Sequence, residues 1–355
     1  MWSKTKLTDL LDIQYPIIQA PMAGGATTPE LIAAISNSGG LGSLGAGYMS
    51  PEEIRSAIIA IRKLTSKPFA VNLFIPEKFA VNENTNATML EILAKVTPEL
   101  NFIFKQPTQY VQDFSRQIEI IIEEKVPVFS FTFGILPDNW IKKFKQQQII
   151  LAGTATNLAE AEVLTEKSID IIVVQGKEAG GHRGTFIGNP QDALIPTAEL
   201  CTQLLTQFSL PIIASGGIMQ SQDILHYLSQ GAAGVQLGTA FLSCKESGIN
   251  ANYKKALLNA TNATPHCTIL TRAFSGKYAR GIKNIFIERM HAYEEFILNY
   301  PVQNALTTEM RKEAAKQNLT DFMSLWAGEN VHLSSGLSAI ELFQRYINEI
   351  ERLSS

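Results

Sequence analysis

Cysteine is scarce in this sequence of 355 residues, and the few present form no set. Cys201, Cys244 and Cys267 are odd in number, and none lies in a CxxC spacing. A disulfide framework and a zinc site are therefore not expected, because each needs cysteines in pairs at short or matched spacings. We expect three free thiols, with Cys201 on a helix and facing the protein core.

Long apolar runs are also lacking. No stretch reaches the roughly 18 apolar residues that a membrane span needs. The amino-terminal residues, MWSKTKLTDLLDIQYP, show neither the apolar core nor the small-residue cleavage pattern of a secretory signal. We therefore expect a cytoplasmic protein without a membrane partner.

An excess of charge of one sign is the third absence. The chain has 30 basic and 33 acidic residues, a net charge of -3, so it lacks the positive field that nucleic-acid binding usually requires. Its 45% hydrophobic and 18% charged residues are typical of a globular protein. The expected partner is a small molecule.

The chain does contain a regular alternation of short apolar runs and amphipathic segments from Tyr15 onward. Eight strand and helix pairs follow one another, which predicts a (β/α)₈ TIM barrel of the α/β class. Thr28 before Pro29 predicts one helix start, and Ser50 with Glu53 fits a capping box at another. No GxGxxG motif follows the first strand, which disfavours a dinucleotide-binding domain.

The predicted organisation is a barrel over residues 1–260 and a second region over residues 261–355. Residues of about 77–107 fit the repeat poorly and predict an insertion. Beyond residue 260 the rhythm stops, and a basic glycine-containing segment is followed by helices. We expect this region to form a substrate-side segment and a helical cap packed on the barrel, or a homodimer surface.

The stretch DIIVVQGKEAGGHRG, residues 170–184, carries the first candidate for chemistry. Its apolar run predicts a buried parallel strand, and the glycine-rich turn that follows predicts a loop holding His182. Ligands of parallel α/β proteins bind at the carboxyl ends of strands, so His182 is a candidate catalytic residue. Taken alone, the same features also fit a structural histidine at a tight turn.

Two further glycine-containing turns follow predicted strands seven and eight. Gly216 and Gly217 end the seventh predicted strand, LPIIASGG. The turn Gln236, Leu237, Gly238 and Thr239 is at the end of the eighth, which we expect within AGVQLGTAFL. In barrels these turns commonly hold a phosphate, although tight turns need glycine in any case. With the inward amides of Asn72, Gln175 and Gln236, and with Met22 against a ring face or in the core, the pattern favours flavin mononucleotide.

Several motifs together resemble the nitronate monooxygenase family, formerly called 2-nitropropane dioxygenases. They are IQAPMAGGATTPELIAAISNSGGLGSLGAGYMSPEE, FAVNLFIP, VVQGKEAGGHRG, PIIASGGI and GVQLGTAFLSCKES. The resemblance implies noncovalent FMN, O₂ as electron acceptor, no metal, and His182 as the active-site histidine. It places FMN contacts at Met22, Asn72, Gln175, Gly180, Gly217 and Gln236 to Thr239. It also implies conversion of alkyl nitronates, such as the toxin propionate 3-nitronate, to a carbonyl compound and nitrite, and with it a detoxifying role.

The residues leave some roles open. His182 could steady a nitronate anion as a cation or hydrogen-bond donor, or remove the α-proton of a nitroalkane as a neutral base. Lys277 is a candidate substrate-binding residue that adds positive charge near the mouth, or an ordinary solvent-facing lysine. Arg183 could equally form a surface or structural pair.

Two other functions compete with this interpretation. The EAGGH loop and the barrel also resemble the FMN-dependent enoyl-acyl carrier protein reductase, which needs a nicotinamide donor. The APMAGG turn, the NLFIP strand and the long carboxyl-terminal extension fit the nitronate enzymes better. A non-catalytic flavin-binding protein is less favoured, because His182 remains in its loop.

Overall fold

A closed parallel barrel forms the centre of the computed structural model, which describes residues 2–260 and 267–354. Its eight strands are β1 (Ile17–Gln19), β2 (Gly42–Gly45), β3 (Phe69–Phe74), β4 (Val128–Thr132), β5 (Ile150–Ala155), β6 (Ile171–Gln175), β8 (Ile212–Ser215) and β9 (Gly234–Leu237). Their spatial order is β1-β9-β8-β6-β5-β4-β3-β2, and a parallel bridge between Ile18 and Leu41 closes the ring. The predicted (β/α)₈ barrel is confirmed.

Helices surround the barrel and continue beyond it. They are α1 (Lys6–Leu11), α2 (Pro29–Asn37), α3 (Pro51–Leu64), α4 (Glu83–Val96), α5 (Phe114–Glu123), α6 (Asp138–Gln146), α7 (Leu158–Glu166), α8 (Thr197–Gln207), α9 (Ser221–Ser229), α10 (Thr239–Leu242), α11 (Ala251–Asn259), α12 (Ile285–Met290), α13 (Val302–Lys316) and α14 (Ala339–Ser354). The predicted caps are confirmed: Thr28 Oγ1 accepts from Leu31 N at 3.1 Å, and Ser50 and Glu53 bond reciprocally. Cys201 is buried on α8. No helix in the described ranges is long and apolar enough to span a membrane.

The barrel interior changes from apolar to polar along the strand direction. Alternate residues of a strand share a face, so Ala70 and Asn72 follow each other along the interior, as do Val173 and Gln175. The lower positions join Leu7 of α1 in one apolar cluster. This cluster fills the amino end of the barrel, and the polar layer above it faces the opposite, carboxyl end.

A second, antiparallel sheet stands at the barrel mouth. It contains β7 (Gly181–His182), β10 (Thr268–Thr271) and β11 (Ala279–Ile282), in the order β10-β11-β7. His182 pairs with Ala279 in this sheet. The loop that we expected around His182 is therefore a short strand, because its pairing partner lies almost a hundred residues later in the chain.

Two other expectations need correction. The predicted eighth strand, AGVQLGTAFL, ends at Leu237, and Thr239–Leu242 instead form α10 where the chain leaves the sheet. The basic segment after residue 266 contains the β10–β11 hairpin, which its sequence did not reveal.

The insertion and the carboxyl-terminal region divide between the mouth and the outer wall. Helix α4 of the insertion shares an apolar cluster with α12 and α13. Helix α14 packs instead against α2 and α9 on the outer wall of the barrel. The predicted boundary at residues 260 and 261 touches the stretch 261–266, which lies outside the described residues, so the two-region division stays a prediction.

Candidate active site

One cavity of about 1180 Å³ opens at the carboxyl ends of the barrel strands. It brings together most of the residues that the sequence proposed for a site. Those on its wall are Met22, Asn72, Gln175, Gly180, His182, Gly216, Gly217, Gln236, Gly238 and Thr239. Leu237 and Lys277 are not on this wall, and the Leu237 side chain is 1% exposed in the apolar core.

Two of the predicted amides are held by serines on neighbouring strands. Asn72 Nδ2 donates to Ser130 Oγ at 3.0 Å, and Gln236 Nε2 donates to Ser215 Oγ at 3.3 Å. Within the described part of the chain no group donates to either side-chain carbonyl oxygen. The serines fix the orientation of both amides, and the two oxygens remain available to a polar ligand edge.

Both polar atoms of the Gln175 amide have hydrogen-bond partners within the protein. Its Nε2 donates to the His182 carbonyl at 3.0 Å, and its Oε1 accepts from Gly184 N at 2.8 Å. Gln175 thus fastens the strand that carries His182 to the barrel. Its predicted contact with a flavin ring stays a prediction, but its structural task is clear.

His182 lies in an aromatic enclosure. Its ring centroid is 5.4 Å from that of Trp326, 5.9 Å from Phe133 and 6.3 Å from Tyr300. Its Nε2 is buried and has no hydrogen-bond partner among residues 2–260 and 267–354. Burial, and then the positive charges of Arg311 and Lys277, lower its pKa to about 3. The imidazole is therefore neutral near pH 7, which favours a donor or base over a cation.

The two glycine turns are bridged by a segment that the sequence analysis missed. Asn330 Nδ2 donates to the Gly217 carbonyl at 2.7 Å, and Gly328 N donates to Thr239 Oγ1 at 2.9 Å. Gly180 lies against the same segment, where a Cβ atom would come within 2.4 Å of Gly328 N. Glycine is required at position 180 because two backbone segments cross there.

Lys277 and Arg183 have partners of different kinds. Lys277 forms an ion pair with Glu77, and its Nζ lies 4.7 Å from the Phe133 ring centroid, beside a second cavity of about 700 Å³. Arg183 is fully buried and donates to the carbonyls of Gln175, Gly176 and Ala193. Burial lowers its pKa to about 10. The structure thus makes Arg183 a structural residue rather than a surface one.

The remaining residues of the enclosure were not found from the sequence. They are Tyr48, Phe133, Tyr300, Arg311 and Trp326. Tyr48 and Phe133 lie just after the barrel strands β2 and β4. Tyr300, Arg311 and Trp326 come from the carboxyl-terminal region, where no local motif indicates that a side chain faces a barrel mouth.

Known proteins match this chain over almost its whole length. The family model for nitronate monooxygenase matches residues 4–349. A probable nitronate monooxygenase of Staphylococcus aureus (strain MSSA476) is 41% identical, covering 99% of both sequences. The crystal structure of nitroalkane oxidase from Streptomyces ansochromogenes is 34% identical, covers 98% of both chains and has a TM-score of 0.90. FabK from Thermotoga maritima is 26% identical, with a TM-score of 0.76 over 99% of this chain and 97% of its own.

Proposed function

This chain belongs to the nitronate monooxygenase family, and from that membership we propose that it is an FMN-dependent oxidoreductase that converts alkyl nitronates and O₂ to a carbonyl compound and nitrite. The observation that carries the proposal is the neutral imidazole of His182 inside the large cavity, with an Nε2 that has no hydrogen-bond partner in the part of the chain that the structure describes. Propionate 3-nitronate as substrate, a detoxifying role, a cytoplasmic location and a homodimer belong to the same proposal.

The residues of the cavity fit FMN. Gly216 and Gly217 have φ values of 127° and 71°, so their backbone takes a shape that side chains disfavour and that lets N–H groups approach a phosphate closely. Asn72 and Gln236 present amide oxygens suited to the polar edge of a flavin ring. Bound FMN would supply the electron acceptor for oxidation of the substrate.

His182 has two candidate tasks, both compatible with its neutral form. Its Nε2 can donate a hydrogen bond to a nitronate oxygen when that nitrogen carries the proton. In the other tautomer, Nε2 can accept the α-proton of a nitroalkane. The enclosure by Phe133, Tyr300 and Trp326 restricts water around the imidazole, so either contact is stronger than it would be in solvent.

A direct assay separates this function from its rivals. The purified protein should carry FMN and release nitrite from ethyl nitronate in the presence of O₂. Anaerobic NADH or NADPH should leave the flavin oxidised. Rapid bleaching by NADPH without nitrite release would favour the reductase, and a flavin spectrum without turnover of any nitronate would favour a binding protein.

Removal of the Asn330 amide should weaken FMN binding. Asn330→Ala loses the bond that fixes the Gly217 carbonyl, so the neighbouring N–H groups are less well oriented for phosphate. Loss of one such bond typically costs about 0.5–1.5 kcal/mol, so we expect the FMN dissociation constant to rise about 2- to 10-fold. Fluorescence titration of the apoprotein measures it.

Asn37→Ala is the matched control, because its amide donates to the Leu64 carbonyl and is absent from the cavity wall. Equal FMN affinity in Asn330→Ala and wild type would show that the 328–330 segment does not support the phosphate turn.

The pH dependence should lack the usual histidine step. A base or donor that must be neutral stays active above its pKa, and the pKa of His182 is lowered to about 3 by burial, Arg311 and Lys277. We therefore expect kcat/KM for ethyl nitronate to show no loss assignable to His182 as the pH falls from about 8 to about 5, a range that lies wholly above this pKa. A step near the ordinary histidine pKa of about 6.5 that disappears in His182→Gln would contradict this expectation.

A further inference from the structure

Arg311 is a partly buried cation without an acidic partner among the described residues. It lies on α13, and its Nε and Nη2 donate only to oxygen atoms of the same helix, from Thr307, Asn304 and Thr308. No hydrogen bond from Nη1 and no ion pair of this side chain occurs among the residues that the structure describes. Burial lowers the pKa of its guanidinium. A guanidinium largely withdrawn from water without a counter-charge is costly, so its retention needs a reason.

The described residues around Arg311 supply no free negative charge. It lines the cavity together with Tyr48 and Tyr300. Burial raises the pKa of both phenols, so they are neutral neighbours. The two carboxylates on the cavity wall, Glu77 and Glu309, are already paired with Lys277 and Lys312.

Arg311 is also close to the proposed catalytic imidazole. Its charge is one of the causes that lower the pKa of His182. The Tyr48 hydroxyl, like His182 Nε2, is buried and has no partner with hydrogen-bond geometry in the described ranges. A permanent positive charge and two unused polar atoms thus meet in one aromatic enclosure, which is the composition expected of an anion-binding site.

A purely structural role explains these contacts less well. The bonds from Nε and Nη2 hold α13 to itself, at positions three, four and seven residues apart, and join no other element. A neutral side chain could make such bonds without bringing a charge into the enclosure. These bonds therefore do not account for the positive charge of Arg311, whereas an anionic ligand would.

We propose that Arg311 is the anion-binding residue of this active site and receives the planar oxyanion of the substrate through the free side of its guanidinium. The proposal rests on the proposed function and assigns separate tasks: Arg311 provides the counter-charge, and neutral His182 provides the hydrogen bond or accepts the proton. The oxyanion is either the nitronate group or a carboxylate carried by the same substrate, because both offer two coplanar oxygens to a guanidinium.

The first test measures binding of an inert planar anion. Oxidised holoenzyme is titrated with sodium nitrate at constant ionic strength, and the flavin absorbance is followed. Loss of a hydrogen-bonded charge typically weakens binding about 10- to 100-fold, and we expect that loss in Arg311→Gln. Arg311→Lys should lie between the two, and Arg116→Gln, on a surface arginine paired with Glu119 and Glu123, should match wild type.

The second test compares charged and neutral substrates. If Arg311 binds the nitronate group, Arg311→Gln should raise KM for ethyl nitronate by a similar factor and leave KM for nitroethane, its neutral form, almost unchanged. A greater loss with a carboxylate-bearing nitronate than with ethyl nitronate would identify the carboxylate as the bound group. Equal losses would identify the nitronate group.

The outcomes separate this inference from the proposed function. Unchanged nitrate affinity in Arg311→Gln, or equal losses for nitroethane, ethyl nitronate and the carboxylate-bearing nitronate, would overturn the role of Arg311. Arg311-dependent nitrate binding in a protein that oxidises no nitronate would keep the anion site and reject the proposed function. If the glutamine and lysine variants do not fold, a crystal of the wild-type holoenzyme soaked in nitrate decides: nitrate at Arg311 supports the proposal, and its absence there refutes it.

Discussion

Replacing His182 with alanine should lower turnover of ethyl nitronate at least about 100-fold while FMN remains bound, because removal of a general acid–base group usually costs about 10²- to 10⁴-fold. We expect the flavin to be retained because the His182 ring contacts aromatic rings rather than the glycine turns. The other contacts of His182 are made by its backbone, which accepts from Gln175 Nε2 and pairs with Ala279. Steady-state nitrite release and the visible spectrum of the variant measure both quantities.

The loss of turnover with nitroethane, compared with the loss with ethyl nitronate, distinguishes the two tasks of His182. A base would be needed for nitroethane and less for the preformed nitronate, so a base role makes the loss far larger for nitroethane. His226→Ala is the control, since that histidine is exposed on the outer helix α9. Normal kinetics of His182→Ala on both substrate forms would mean that the imidazole is structural.

Replacing Gly217 with valine should release FMN. The φ value of 71° at Gly217 is one that β-branched residues rarely adopt, and a Cβ atom there would lie 3.0 Å from the Glu178 Cβ. The turn must shift, and its N–H groups are then no longer oriented to donate to the phosphate. Loss of two bonds to a charged group, each about 1.5–3 kcal/mol, predicts an FMN dissociation constant raised about 100-fold or more.

Gly188→Val separates the backbone strain from the effect on the site. Gly188 has a φ of 82°, a Cβ atom added there would meet no atom within 4 Å, and the residue is absent from the cavity wall. The free energy of unfolding of this variant should fall by about 1–2 kcal/mol, because valine would have to adopt a left-handed backbone conformation. Its FMN affinity should not change. Full FMN occupancy of Gly217→Val would show that the turn at residues 216–217 does not bind the phosphate.

The local parts of this protein could be predicted from the sequence. Buried parallel strands are short apolar runs, and caps such as Thr28 and Ser50 act within three residues, so each signal lies inside one window of the chain. The polar residues at strand ends, among them Asn72 and Gln236, follow from the same logic. Strands of one barrel are parallel, and their carboxyl ends must therefore meet at one mouth.

The sequence by itself thus determined the barrel, the face that carries the cavity and most of the residues proposed for its wall. Tertiary structure alone decided what surrounds them: the pairing of His182 with Ala279, the Asn330 bond to Gly217, and the position of Arg311 beside the imidazole. Each of these contacts joins residues that lie far apart in the chain. No periodicity or local motif encodes such a contact, because it depends on how separate elements pack, and the charge environment of His182 depends on that packing as well.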